Sequence, residues 1–143
     1  MTRTLAIPLL LFVALAGCSN ALQDIANAEN TIPQAVTVIA NTSTSLVNQG
    51  TMSPDEGAKV AQILTDIINA NSRAVTATRA ITSLTATNKA TISQIVAPII
   101  LEIQQSITAG DVFQIKNAQA KLAITTALTA LSTTLQIIQS KVA

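Results

Sequence analysis

The chain of 143 residues contains no histidine, tryptophan or tyrosine, and its single cysteine is Cys18. Zinc, copper and haem sites depend on histidine and cysteine ligands, so none can be assembled once Cys18 has another use. The lack of histidine also excludes Ser-His-Asp and Cys-His catalytic sets. The four glycines are too widely spaced for a phosphate-binding loop. We therefore expect no cofactor, no metal ion and no enzymatic activity.

Charged and aromatic side chains are also scarce. Charged residues make up 10% of the chain and aromatic residues 1%, and the formal net charge is +1. Sparse, balanced charge gives no steering toward the phosphates of nucleic acid or toward an anionic surface. Binding of single-stranded nucleic acid also relies on aromatic side chains on which bases stack. We expect no nucleic-acid partner.

Apolar residues, by contrast, make up 49% of the chain, and they recur in steps of three and four. This spacing is typical of amphipathic helices. Four such segments joined by short connections predict an all-α fold, an antiparallel bundle of about four helices. The competing arrangement is an elongated coiled coil formed by self-association, because the apolar stripes are long and narrow.

Proline, glycine and capping residues predict the ends of the first two helices. The first segment extends from about Asn20 to Asn48, and Pro33 predicts a kink or a break near residues 30–33. Gly50 can adopt the left-handed conformation that ends a helix. The stretch Ser53-Pro54-Asp55-Glu56 has the pattern of a capping box. The second helix is then predicted from Pro54 to about residue 85 because the apolar spacing continues that far.

The second half of the chain carries two more predicted helices. Residues 85–88 read as a turn, and a third helix follows that should bend at Pro98. Gly110 closes it, and Asp111 is predicted to cap a fourth helix whose apolar positions extend from Val112 to Val142.

The carboxylates outside the capping box fall into two groups according to their neighbours. Asp24, Asp66 and Asp111 are predicted to be solvated or to cap helices, while Glu29 and Glu102 lie among apolar positions. We expect these two glutamates to reach water from the edge of the apolar stripe. The alternative is burial against a cation, which Arg73, Arg79 or Lys89 could supply.

The N-terminus has the layout of an export signal. Arg3 precedes an apolar run from Leu5 to Ala16, which is shorter than the ~20 residues that span a bilayer. The run ends in Leu15-Ala16-Gly17-Cys18, and these residues resemble the lipobox of bacterial lipoproteins. The resemblance implies cleavage after Gly17, a diacylglycerol on the Cys18 thiol, and acylation of the new amino group by a fatty acid such as palmitate. Residues 1–17 would be a signal peptide, and residues 18–143 the helical bundle domain.

The resemblance implies a protein of the bacterial cell envelope that is held by its lipid anchor, in the periplasm or at the outer membrane. Two or three acyl chains make such attachment lasting. We favour a non-enzymatic, structural or protein-interaction role, through a protein partner or self-association. Two alternatives remain open. The bundle could carry apolar ligands or lipids between its helices, or it could perturb membranes or form pores, since residues 118–138 contain one charge, Lys121.

Overall fold

The computed structural model describes residues 20–112 and 114–143. The predicted signal peptide and Cys18 lie outside these residues. Within these residues the chain forms four helices: α1 (Ala21–Asn48), α2 (Pro54–Arg79), α3 (Ala86–Thr108) and α4 (Ala118–Val142). No strand occurs in the described part of the chain. The prediction of an all-α bundle with about four helices is therefore confirmed.

The four helices form a closed ring in which α1 packs against α2 and α4, and α3 packs against the same two helices. Neighbours are antiparallel, because Asp24 at the start of α1 pairs with Lys141 at the end of α4. We call the end of the bundle formed by Asn20, residues 80–85 and Ala143 the proximal end, since it is the end that leads back to Cys18. The opposite, distal end is formed by residues 49–53 and 109–117.

The core between the helices consists of aliphatic side chains, as the composition requires. It draws on all four helices and on two of the connections. The largest fully buried side chains are Ile25, Ile32, Ile39, Met52, Ile67, Ile92, Ile103, Ile124, Leu128, Leu131, Leu135 and Ile138. Full burial of an isoleucine or leucine side chain stabilises a fold by about 1.5–3 kcal/mol relative to leaving it exposed.

Each helix begins at a polar residue whose side chain accepts a backbone N–H. Asn20, Ser53, Thr85 and Asn117 serve α1 to α4 in turn. The predicted capping box is confirmed, because Ser53 Oγ accepts the Glu56 N–H while Glu56 Oε2 accepts the Ser53 N–H at 2.7 Å. Such caps are each worth about 0.5–2 kcal/mol.

Glu56 also ties the connection before α4 to the start of α2. Its Oε1 accepts the Lys116 N–H at 2.9 Å. The backbone N–H groups of Ser53 and Lys116 favour the carboxylate and lower the pKa of Glu56 from its ordinary value. Because the folded state holds the charged form, these bonds stabilise the fold above pH 4.5, and their contribution is lost as the pH falls through the lowered pKa.

The end of α2 was predicted too late. The helix ends at Arg79 rather than near residue 85, and Thr85 accepts the Asn88 N–H as the cap of α3. The predicted turn at residues 85–88 is therefore the first turn of α3. The apolar spacing continues past Arg79 because Ile81 and Leu84 pack against the core from the connection itself.

The start of α4 was also misplaced. Asp111 does not cap it, since α4 begins at Ala118 behind the Asn117 cap. Val112 and Ile115 are fully or almost fully buried, yet they lie in the connection between α3 and α4. Their burial explains why they fit an apolar helical pattern that continues into α4.

Pro33 does not break α1, which is one helix from Ala21 to Asn48. A proline has no N–H to offer the carbonyl four residues earlier, which here belongs to Glu29. The side chain of Asn71 on α2 supplies the missing donor, with Nδ2 3.3 Å from the Glu29 carbonyl oxygen. The break expected near residues 30–33 is absent because this buried amide satisfies the carbonyl that proline leaves free.

Asn71→Ala is therefore expected to lower the free energy of unfolding by about 1–3 kcal/mol, since it leaves a buried carbonyl without a donor. In a Pro33→Ala background Asn71→Ala should destabilise the fold less, because the backbone N–H gained at position 33 would donate to the Glu29 carbonyl. Urea denaturation of both single variants and the double variant measures this coupling. Asn69→Ala, at an exposed position of the same helix, should change stability by less than about 0.5 kcal/mol. Strict additivity of the two substitutions would contradict the explanation.

Candidate functional site

The proximal end holds a buried ion pair between the two ends of the described chain. Asp24 is 1% exposed, and its Oδ2 lies 2.8 Å from the Lys141 Nζ. The pair joins the first turn of α1 to the last turn of α4. The prediction that Asp24 is solvated or capping is wrong, because its position beside Ile25 faces α4, and the balancing cation comes from the opposite end of the sequence.

Glu29 lies in the next turns of α1 and is also buried, at 4% exposure. Thr78 Oγ1 lies 3.1 and 3.0 Å from its two carboxylate oxygens and donates to them. Burial raises the pKa of Glu29, while the Thr78 hydroxyl and the nearby charge of Arg79 oppose the rise. The expectation that Glu29 reaches water is wrong. Glu29 instead follows the alternative prediction of burial near a cation, and that cation is Arg79.

Replacement of Glu29 by glutamine should reveal this burial as a pH effect. With a raised pKa the folded chain binds the Glu29 proton more tightly than the unfolded chain does. The contribution of Glu29 to the stability of the wild type therefore falls as the pH rises from about 4.5 through the raised pKa. Glu29→Gln removes this pH-dependent loss of stability, and the glutamine side-chain oxygen can still accept a hydrogen bond from the Thr78 hydroxyl. We expect the variant to gain stability over the wild type between pH 4.5 and neutral pH in urea titrations. A constant difference across this range would contradict the assignment.

Glu102, the other glutamate predicted at the edge of a stripe, is exposed as expected. It contributes to a groove of about 590 Å³ between α2 and α3 that is open to solvent. The residues that line it are Asp66, Asn69, Ala70, Arg73, Gln94, Ile95, Pro98, Ile99 and Glu102. Three charged residues, Asp66, Arg73 and Glu102, line the groove together with apolar ones, so it is not an enclosed apolar cavity.

A second open groove, of about 410 Å³, lies between α1 and α2 beside Glu29. Its lining includes Asn20 and Ile81, which belong to the proximal end. This groove therefore opens at the end of the bundle from which the chain leads back to Cys18. Polar and charged residues again make up much of its lining.

A metal ion would need several histidine, cysteine, aspartate or glutamate side chains close together. The described residues contain no cluster of three or more of them. The carboxylates are dispersed, with Asp24 and Glu29 engaged inside the bundle and Asp66 accepting the Gln62 side-chain amide at 3.2 and 3.3 Å. The absence of a cofactor, a metal ion and enzymatic activity stays a prediction.

One helix of the described chain, α4, is long and apolar enough to cross a membrane by length and composition alone. In the fold, its apolar stripe forms one wall of the core. Ile124, Leu128, Leu131 and Ile138 are completely buried, and Leu135 is 1% exposed. A buried core helix passes the same test of length and hydropathy, so this feature alone does not indicate membrane insertion.

Three residues that organise the proximal part of the bundle were not predicted in these roles: Asp24 was expected at the surface or in a cap, and Asn71 and Thr78 were not singled out. Each acts through a partner on a different helix, and no local pattern indicates such a partner. The one available signal was Pro33, since the carbonyl of Glu29 that it leaves free implied a donor from elsewhere. Cys18, the predicted lipidation site, lies outside the described residues.

Comparison of the chain with protein-family models, with curated proteins and with solved structures found no match in any of the three.

Proposed function

We propose that this protein is a lipid-anchored, non-enzymatic component of a bacterial cell envelope, in which the helical bundle has a structural or protein-interaction role. The anchor is Cys18, acylated after removal of residues 1–17. The observation that carries the proposal is the complete lipobox, Leu15-Ala16-Gly17-Cys18. It contains the only thiol of the chain and follows an apolar run of signal-peptide length.

The start of the bundle supports this proposal by its position. Asn20 caps α1, and the helix begins at Ala21, three residues after Cys18. Two residues of chain span at most about 7 Å. An acylated Cys18 would therefore keep the proximal end close to the membrane surface, with no long linker to let the bundle move away.

The Asp24–Lys141 pair supports a mechanical part of the role. The anchor attaches just before α1, and the pair connects the first turn of that helix to the last turn of α4. The pair adds a charged contact to the packing that joins α1, the helix next to the anchor, to α4. This arrangement suits a domain that must stay folded while it is held at a surface.

The two alternative functions, a carrier of apolar ligands and a membrane-perturbing protein, need features that the fold does not favour. A carrier of apolar ligands needs an enclosed apolar cavity, whereas the grooves beside α2 are open and lined in part by charged or polar residues. A membrane-perturbing protein would have to withdraw α4 from a core in which Leu128 and Leu131 are completely buried. The anchored role uses the bundle as it stands.

Metabolic labelling of the full chain in a bacterial host tests the anchor. With a palmitate analogue in the medium, the wild type should incorporate label and decrease in size on processing, while Cys18→Ser should do neither. Thr4→Ser, a substitution outside the lipobox, serves as the matched control and should behave as the wild type. Equal labelling of the Cys18→Ser variant, or no labelling of the wild type, would contradict the proposal.

A further inference from the structure

The charges of the bundle are distributed unevenly between its two ends, although their sum is close to zero. The proximal half comprises residues 20–34, 67–97 and 131–143. Its basic residues are Arg73, Arg79, Lys89 and Lys141, and its acidic residues are Asp24 and Glu29. Both acidic residues are buried, at 1% and 4% exposure. Every charged side chain that this half exposes to solvent is therefore a cation.

The distal half has the opposite character. It contains the acidic residues Asp55, Glu56, Asp66, Glu102 and Asp111 and the basic residues Lys59, Lys116 and Lys121. None of these acidic residues is buried. The balanced composition thus conceals a bundle with a cationic proximal half and an anionic surplus in the distal half.

The proximal cations lie around the connection between α2 and α3. Arg79 is the last residue of α2 and is exposed, and Lys89 lies in the first turn of α3. Residues 80–85 between the two helices carry no charge. Lys89 Nζ is 3.4 Å from the Ala143 carbonyl oxygen. A carboxylate at Ala143 would offset one of these charges, and the buried Glu29 partly offsets that of Arg79, but no acidic side chain is exposed beside either cation in this half.

We propose that the proximal end is a docking surface for an anionic phospholipid bilayer, with Arg79 and Lys89 contacting lipid phosphates. This inference rests on the proposed lipid anchor, since Cys18 lies two residues before Asn20 and brings this end to the membrane. Each lysine or arginine that lies within a Debye length of an anionic bilayer, about 8–10 Å, increases the binding constant about fivefold. The acyl chains attach the protein, and the cations hold the bundle with its proximal end on the bilayer.

The test uses the acylated full-chain product reconstituted in vesicles of two compositions, phosphatidylcholine alone and phosphatidylcholine with phosphatidylglycerol. Amide hydrogen exchange compares residues 80–89 at the proximal end with residues 49–58 at the distal end. We expect the amides of residues 80–89 to exchange at least about threefold more slowly on the anionic vesicles. Arg79 and Lys89 are each attracted to lipid phosphates, and this attraction keeps the segment against the bilayer and away from water. The slowing should disappear at high salt, and residues 49–58 should exchange equally on both vesicles.

Two variants make the test specific. Arg79→Gln/Lys89→Gln should abolish the difference between the vesicles, whereas the matched distal pair Lys59→Gln/Lys116→Gln should retain it. The inference would be overturned if wild-type residues 80–89 exchanged at the same rate on both vesicles. It would also be overturned if the two double variants lost the difference between the vesicles to the same extent. The mass of the same sample reports whether Cys18 is acylated. An acylated chain without the exchange difference contradicts this inference alone, while an unacylated Cys18 contradicts both proposals.

Discussion

Leu128→Ala is expected to lower the free energy of unfolding by about 2–5 kcal/mol, whereas Leu122→Ala should change it by less than about 0.5 kcal/mol. Both leucines belong to α4, but Leu128 is 0% exposed in the core and Leu122 is 67% exposed. Truncation of Leu128 removes buried apolar contacts and leaves a cavity, while truncation of Leu122 removes a side chain that is already in water. Urea denaturation followed by circular dichroism measures both changes.

This pair of variants also distinguishes the bundle from a membrane-inserting role for α4. Insertion into lipid would surround both leucines with apolar material and would make the two substitutions similar in effect. Equal destabilisation by the two variants would therefore contradict the packing of α4 against α1 and α3.

Removal of Lys141 is expected to cost more than removal of Asp24, although both substitutions break the same ion pair. Lys141→Met leaves the Asp24 carboxylate, whose side chain is 2% exposed, without this cation. Breaking a buried pair in this way costs about 3–5 kcal/mol, and the 36% exposure of the Lys141 side chain places this case near 3 kcal/mol. Asp24→Asn leaves an ammonium group that can turn toward water, so its cost should be smaller.

The double variant Asp24→Asn/Lys141→Met should be more stable than Lys141→Met alone, since a neutral amide then replaces the buried Asp24 carboxylate. Lys59→Met is a matched control, because the Lys59–Asp111 pair has side chains that are 44% and 45% exposed. Exposed pairs of this kind contribute about 0–1 kcal/mol. Denaturation of the four variants at neutral pH measures the cycle. A smaller loss for Lys141→Met than for Asp24→Asn would contradict the burial assigned to Asp24.

Local signals predicted those parts of the fold that depend on a few neighbouring residues. The capping box at Ser53 and Glu56 needs partners three residues apart, and both bonds are present. Gly50 adopts a φ of 67°, the left-handed conformation predicted for the end of α1. In these cases the chemistry of the short segment determines its backbone, so the sequence alone is sufficient.

Apolar spacing was less reliable at the ends of helices, because it reports burial and does not report helical conformation. Ile81 and Leu84 after α2, and Val112 and Ile115 before α4, continue the apolar pattern from non-helical connections. These connections cover the ends of the core and need apolar side chains for that purpose. A pattern of burial therefore extended two predicted helices beyond their true ends.

The features of the proximal end depend on contacts between distant parts of the chain. The pairing of Asp24 with Lys141 and the donation from Asn71 to the Glu29 carbonyl each join two helices. The uneven distribution of charge arises in the same way, since it appears only when four segments of the chain are brought together. The lipobox is different, because it is a contiguous motif and can be predicted directly, and Cys18 remains a prediction that the described residues do not test.

Mass spectrometry of the intact protein from its native host tests most directly whether Cys18 is the acylated first residue of the mature protein. We predict a chain that begins at Cys18 and carries a diacylglyceryl group, with a further acyl chain on its amino group. A chain that retains residues 1–17, or one that has a free thiol at Cys18, would contradict the claim.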